Sequence, residues 1–351
     1  LSPQLRRAII FPMKVSELGE FGLVDLLGKM VENSQDLRFN SWRQLILGIG
    51  DDAAAWYSDS SIQLAHVDSL FQDIHFRFDL TSWHDLGWKS LAVTVSDIAA
   101  MGGIPTYALV SLTLLDDNEV DDVTTMYRGM IELAKRYGIA IIGGDTSRAP
   151  VVSITVTVLG TTIDRDKANI LTRNSARPGD KIAITGYLGS AAAGFRMLSE
   201  KLKFDDESTS YLRDAFCRPL PRVSEGLILV RNGVKVGIDV SDGLISDLNH
   251  ICKASHVSAR INADKLPIHL VVKSKFKKEA IDLALSGGED FELLFAAPDA
   301  VMEKVKTALS CPVTVIGEIA EEDRWGKAYI VDSHGKPYHL HKPGWEHFRL
   351  K

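Results

Sequence analysis

No run of apolar residues in this chain approaches the ~20 that a membrane-spanning helix needs, so a transmembrane protein is not expected. The opening Leu1-Ser2-Pro3-Gln4-Leu5-Arg6-Arg7 is not followed by a long apolar core, which argues against a secretory signal peptide. Cysteine is scarce. Cys217, Cys252 and Cys311 lie far apart, without zinc-like spacing, and fit free thiols in a reducing compartment, so a cytoplasmic protein is expected. Positive charge is also short: 40 Lys and Arg stand against 46 Asp and Glu, a net charge of −6. With a pI near 6.0, the chain has no basic footprint for nucleic acid. The common catalytic signatures are missing too. There is no G-x-x-x-x-G-K-[ST] phosphate loop, no protein-kinase signature, no G-x-S-x-G elbow and no H-E-x-x-H zinc helix.

What remains is a globular composition, 45% hydrophobic and 25% charged, over 351 residues, enough for two domains each with its own core. The charged, weakly periodic stretch from Thr162 to Arg177 is the expected boundary, giving an N-terminal domain of residues 1–162 and a C-terminal domain of residues 163–351. Residues 18–30 carry a helical apolar stripe, and a polar loop follows over 33–41. Periodicity predicts helices over 86–101, 120–137, 223–232 and from Leu244 onward. Strands are predicted over 45–49, 62–67, 107–114, 139–142, 151–161, 181–185, 234–238, 291–296 and 313–316. The acidic stretch 204–209 reads as a surface loop. Strands and helices mix in both halves, so the fold class is α/β or α+β.

Function is sought in a repeated device. Asp51-Asp52, Asp68, Asp97, Asp145, Asp239 and Asp242 mostly fall at predicted strand ends or beside glycines. Gly48-Ile49-Gly50-Asp51-Asp52-Ala53 matches the dinucleotide fingerprint by letter, but Trp56-Tyr57-Ser58-Asp59-Ser60 leads to a turn and a strand instead of a helix. A hairpin tip bearing two carboxylates fits better. The fullest example is Gly237-Ile238-Asp239-Val240-Ser241-Asp242-Gly243, a strand end turning into a helix. Such a turn offers backbone N–H groups and positive dipole to an anion. Its carboxylates would repel a bare phosphate, but not a phosphate bridged by magnesium, a hard cation that takes oxygen ligands. Each acidic turn residue alone is as well explained as a cap or turn former. Asp97 is harder to dismiss, because it interrupts the apolar run Val93 to Ala100. Together the aspartates suit several Mg2+ ions and a polyphosphate, hence phosphoryl transfer.

These blocks, with Gly87-Trp88-Lys89-Ser90-Leu91-Ala92, Gly143-Gly144-Asp145-Thr146, Ser286-Gly287-Gly288-Glu289-Asp290 and Gly344-Trp345-Glu346-His347-Phe348, resemble in order the thiamine-monophosphate kinase family of the aminoimidazole ribonucleotide synthetase superfamily. The resemblance spans nearly the whole chain. It implies a two-domain α+β fold whose N-terminal domain forms a shared β-barrel in a homodimer, and a cytoplasmic enzyme without nucleic-acid or membrane partners. It also implies in-line transfer from ATP to thiamine monophosphate with several Mg2+ ions. Asp52, Asp68, Asp97, Asp145, Asp239 and Asp242 would be metal ligands. Tyr127, Gly144, Asp145, Arg173 and Ser241 would contact ATP, with Asp145, Asp239, Asp242 and Arg173 catalytic. His75, Glu289 and Trp345 would contact the thiamine substrate. One departure stands out: His66-Val67 occupies positions where the family has a hydroxyl pair before the aspartate. Two alternatives remain open. One is an ATP-dependent synthetase or dehydratase of the same superfamily, and the other is a catalytically silent nucleotide- or thiamine-phosphate-binding protein.

Overall fold

A computed structural model describes residues 45–47, 51, 54–57, 62–115, 118–322, 326–338 and 340. The predicted helix over 18–30, the loop after it, Asp52 and Trp345 lie outside the described residues.

The first sheet holds six strands: β1 (Leu45–Leu47), β2 (Ala54–Tyr57), β3 (Ile62–Phe71), β4 (Ile104–Leu114), β5 (Ala140–Arg148) and β6 (Ser153–Thr161), in the order β1-β2-β3-β6-β4-β5. β1 and β2 pair antiparallel, as the carboxylate-tipped hairpin requires. β3 runs on to Phe71, so Asp68 lies within a strand and not at its end. Alternation in β6 buries Ile154, Val156 and Val158 on one face. That face is covered by α1 (Trp83–Ala100) and α2 (Val120–Tyr137), which form one core with it. α1 starts at Ser82, whose hydroxyl accepts from the Asp85 amide at 3.1 Å. Two glycines let α1 and α2 touch backbone to backbone. A Cβ on Gly87 would lie 1.7 Å from the Met126 carbonyl oxygen, and one on Gly129 1.9 Å from that of His84.

The second sheet has the order β12-β9-β11-β7-β10-β8. Its strands are β7 (Lys181–Thr185), β8 (Val236–Asp239), β9 (Ser258–Asn262), β10 (Leu293–Ala297), β11 (Val313–Ala320) and β12 (Ala328–Val331). The helices are α3 (Ser190–Ser199), α4 (Asp206–Cys217), α5 (Val223–Arg231), α6 (Leu244–Ser255), α7 (Leu270–Phe276), α8 (Ala280–Ser286) and α9 (Asp299–Ala308). The stretch 204–209, expected as a loop, opens α4: Asp205 caps it by accepting from the Ser208 amide at 2.9 Å. The acidic residues read as solvated are there for the cap and the helix dipole.

The α+β expectation holds, with two mixed sheets. Among the described residues no helix is long and apolar enough to cross a membrane. None of the three cysteines forms a disulfide.

Candidate active site

β8 ends at Asp239 and antiparallel pairing with β10 brings Leu293 beside it. This end of the second sheet meets α1 of the first domain. Ser96 on α1 donates to Asp239 Oδ2 at 2.6 Å, and Asp97 follows it on the helix. On β3, His66 and Asp68 share the face of Val156 and Val158 and so point toward α1. His66 Nε2 stands 3.0 Å from Asp97 Oδ2 and 3.3 Å from Asp68 Oδ2. Val67 alternates to the other face and is 54% exposed, so a hydroxyl there would point away from the cluster. The departure from the family pattern therefore comes down to one substitution, an imidazole at position 66.

Charge dominates the site. Burial raises the Asp239 carboxyl, and the hydrogen bond from Ser96 and the nearby Arg173 offset this in part. Burial likewise pushes Asp97 well above its ordinary range, with His66 opposing and Asp239 and Asp68 adding to the rise. Burial works against a charge on His66, but the Asp97 and Asp68 carboxylates outweigh it and push its pKa up to about 11. Asp51 is buried and rises to about 6, against the pull of Arg173, whose backbone N–H donates to its Oδ2 at 3.3 Å. Arg173 Nε lies 3.6 Å from Asp51 Oδ1.

A second group lies at the start of α6. The N-cap residue, Gly243, has no side chain with which to cap the helix. Instead Asp247, one turn in, accepts from the Asp242 and Gly243 amides at 3.2 and 3.1 Å. Burial raises Asp247 well above its ordinary range, and Asp242 and Asp239 push the same way. Oxygen and nitrogen ligand atoms of Asp242, Asp247 and His250 lie within 4.8 Å of one another, as do those of His66, Asp68 and Asp97. Carboxylate oxygens held this close fit a hard divalent cation. The nitrogens of His66 and His250 are the donors that suit Mg2+ poorly.

The remaining expected residues are spread more widely. Ser241 is next to the cluster, and its carbonyl accepts from the Glu289 amide at 2.8 Å. His75 sits in the turn after β3, where its Nδ1 accepts from the Phe71 amide at 3.0 Å. Tyr127 lies on α2 and lines a hollow of about 420 Å³ with Ile131, Lys135, Ile139 and Ile141. Gly144 and Asp145 fall inside β5, where a turn after a buried strand was expected. A Cβ on Gly144 would lie 1.7 Å from the Val110 carbonyl oxygen, so β5 needs a glycine there to approach β4. Asp145 pairs in register with Ser111 on the outer face, opposite His66 and Asp68, and accepts from Ser147 at 2.9 Å. The single chain thus gathers Asp68, Asp97 and Asp239, sets Asp242 beside them through Asp247, and leaves Asp145 on the other side of the sheet.

Sequence reasoning singled out Asp51 and His66 but passed over Asp247, Lys89 and Asp290 as site residues. Asp247 stood four residues after Gly243, the distance at which a helical side chain reaches back to its own N-terminus. Asp290 caps α3 from outside, accepting from the Gly189 and Ala191 amides at 2.6 and 3.0 Å. Burial nevertheless raises it from 3.8 to about 7. Its contribution to stability is complete below about pH 4 and is lost as pH rises through about 7. Urea titrations at pH 5 and pH 8 are expected to show the native chain losing up to ~3 kcal/mol across that window, and Asp290→Asn much less. Equal slopes would mean that the carboxyl titrates at its ordinary pKa.

The sequence matches the family profiles of AIR synthase related protein, N-terminal domain, over residues 50–162 and C-terminal domain over residues 177–327. It is 40% identical to the thiamine-monophosphate kinase of Bacillus subtilis (strain 168) over 310 residues, covering 86% of this chain and 94% of that one. Identity to the thiamine-monophosphate kinase of Escherichia coli (strain K12) is 37% over 336 residues, 94% of this chain and 98% of the other. The solved structure described as "AaThiL complexed with AMPPCP and TMP" superposes with a TM-score of 0.81 at 31% identity, covering 96% of this chain and 99% of its own. Joined to the order of the acidic blocks and the two sheets that carry them, these likenesses show that the chain belongs to the thiamine-monophosphate kinase family, built from the two AIR synthase related domains.

Proposed function

We propose that the chain transfers the γ-phosphoryl group of ATP to the phosphate of thiamine monophosphate, giving ADP and thiamine diphosphate. The observation that carries this reading is the acidic field of Asp97, Asp239 and Asp247, with the part-exposed Asp68 at its edge, built from both domains and balanced only in part by His66 and Arg173. Uncompensated buried carboxylates are costly, and divalent cations with their phosphate ligands are what such a field attracts. Asp52, Asp68, Asp97, Asp145, Asp239 and Asp242 are assigned as Mg2+ ligands. Bound magnesium would neutralise charge on the phosphate oxygens during in-line displacement. The protein's part is positioning. Arg173, held between Asp51 and Asp239, would meet phosphate charge with a guanidinium. Ser241, Tyr127 and Gly144 are assigned to ATP. His75, Glu289 and Trp345 are assigned to the thiamine group, whose cationic and flat rings suit a carboxylate and an aromatic face.

The domain boundary is placed at 162/163. A homodimer completes the proposal. The outer face of the first sheet exposes Val67, Phe71, Tyr107 and Leu109, an apolar band that a second copy would cover. Asp145 lies on that same face, where it would meet the partner's surface. Steady-state ADP release from ATP and magnesium, with and without thiamine monophosphate, tests the function. Thiamine diphosphate formed one for one with ADP is expected. ADP without the diphosphate would point to another acceptor, and tight binding of both ligands without ADP to a silent binding protein.

A further inference from the structure

One basic side chain of α1 is buried and ends on Glu289. Lys89 is 1% exposed, its Nζ 2.9 Å from Glu289 Oε1. The ammonium also sits 3.9 Å from the centroid of the Phe216 ring. Packing alone does not call for a charge here. A fully buried lysine is rare, its desolvation is expensive, and a methionine would fill similar space without that cost. Glu289 is constrained from its other side as well. It adopts φ 66°, a left-handed conformation uncommon for a residue with a side chain. Its amide donates to the Ser241 carbonyl at 2.8 Å, which ties it to the turn after Asp239. Backbone strain, a backbone tether and a buried ammonium therefore converge on one carboxylate that is still 35% exposed.

We infer that Lys89 is a positioning residue for the acceptor substrate. By engaging Oε1 it fixes the Glu289 carboxylate so that the other oxygen accepts a hydrogen bond from an N–H of the substrate. This rests on the reading of Glu289 as a thiamine contact and makes it more specific. A carboxylate that shares its charge with a buried ammonium is a poor counter-ion for a second cation, yet a well-oriented acceptor. Of the two rings of thiamine monophosphate, Glu289 then addresses the amino group of the aminopyrimidine, and the thiazolium cation must be met elsewhere.

The test compares native protein with Lys89→Met, Lys89→Gln and Lys89→Arg, assayed on thiamine monophosphate and on the analogue in which a carbonyl replaces the pyrimidine amino group. In Lys89→Met, KM for thiamine monophosphate is expected to rise about tenfold or more, while KM for ATP stays within about twofold. The native enzyme's preference for the amino compound shrinks toward unity. Melting temperature does not fall, because a buried charge has been removed. Lys89→Arg recovers most of the KM and the preference, and Lys89→Gln answers the same question if the methionine variant aggregates. Parallel rises in both KM values with a lower melting temperature would make Lys89 merely structural, and an unmoved KM with preference intact would overturn the inference. Native protein that does not turn over thiamine monophosphate at all would instead overturn the assigned function, and this inference with it.

Discussion

Asp239→Asn lowers ADP formation in the presence of thiamine monophosphate by about a thousandfold or more and, measured without nucleotide or magnesium, raises the melting temperature. Both effects come from one property. The Asp239 carboxylate is 1% exposed and stands in the field of Asp68 and Asp97. Asparagine keeps the shape and can still accept from Ser96, so the fold has no reason to change. It removes the charge that a divalent cation needs, and with it the positioning of the transferred phosphoryl group. It also removes an unfavourable burial of charge. Because burial raises the Asp239 pKa, the native carboxyl destabilises the fold more as pH climbs, and the gain from asparagine grows in the same direction. Differential scanning fluorimetry at pH 6 and pH 8, beside the coupled ADP assay, reads both. Near-native turnover would remove Asp239 from the metal site, and a marked loss of stability would mean that its charge is well compensated.

Arg222→Met is expected to cost about 3–5 kcal/mol of stability, near 10 °C in melting temperature. Arg222 grips Glu292 with Nε on Oε2 and a terminal nitrogen on Oε1, both at 2.6 Å. Thr185 donates to the same Oε2 at 2.7 Å. Glu292 is 7% exposed, and burial raises its pKa even against the guanidinium. Without Arg222, a buried carboxylate keeps the Thr185 hydroxyl but loses its counter-ion, and it must either protonate or draw in water. The Glu292 carbonyl also accepts from the Val240 amide at 2.8 Å, so the strand end that carries Asp239 moves with it. Adding Glu292→Gln to Arg222→Met should recover a large part of the loss, since neutralising the orphaned partner removes most of the penalty. Urea unfolding of the two variants decides this. A single variant within 1 kcal/mol of native would show Glu292 to be hydrated or neutral already.

Long periodic segments were legible from sequence because one physical effect dominates them. The helix over 120–137 and the strand over 181–185 have the bounds that their patterning predicts. The fingerprint at Gly48 is followed by a strand, not a helix: β2 begins at Ala54 and pairs antiparallel with β1. The short strands β9 and β12 escaped because five and four residues are too few for a periodic signal, and their partners lie far away in the chain. At the site, strand-end aspartates could be found by their glycines, but faces could not. Whether Asp145 points with Asp68 or against it depends on the register of β4 with β5 and on a bulge between Ala108 and Leu109. Lys89 and Ser96 act through partners distant in sequence, and neither composition nor spacing marks them as different from other buried polar residues.

The glycine contacts of α1 have a further consequence, one of length. With Gly87 and Gly129 bringing two backbones together, and Gly226 leaving only 2.2 Å between its would-be Cβ and the Ala99 carbonyl oxygen, α1 meets its neighbours backbone to backbone at three points along its length. Close-packed contacts of this kind leave α1 little room to slide against α2 and α5. Lys89 and Ser96 are seven residues apart on it, about 10 Å of rise, and each holds a carboxylate of the other domain, Glu289 and Asp239. On the proposed assignment of Glu289 and Asp239, the helix is a gauge whose two marks are the ring contact and the phosphoryl-transfer centre. On that assignment a molecule too short to span them engages one mark at a time, and selectivity against truncated acceptors follows from the pitch of a helix that touches neither reacting phosphate.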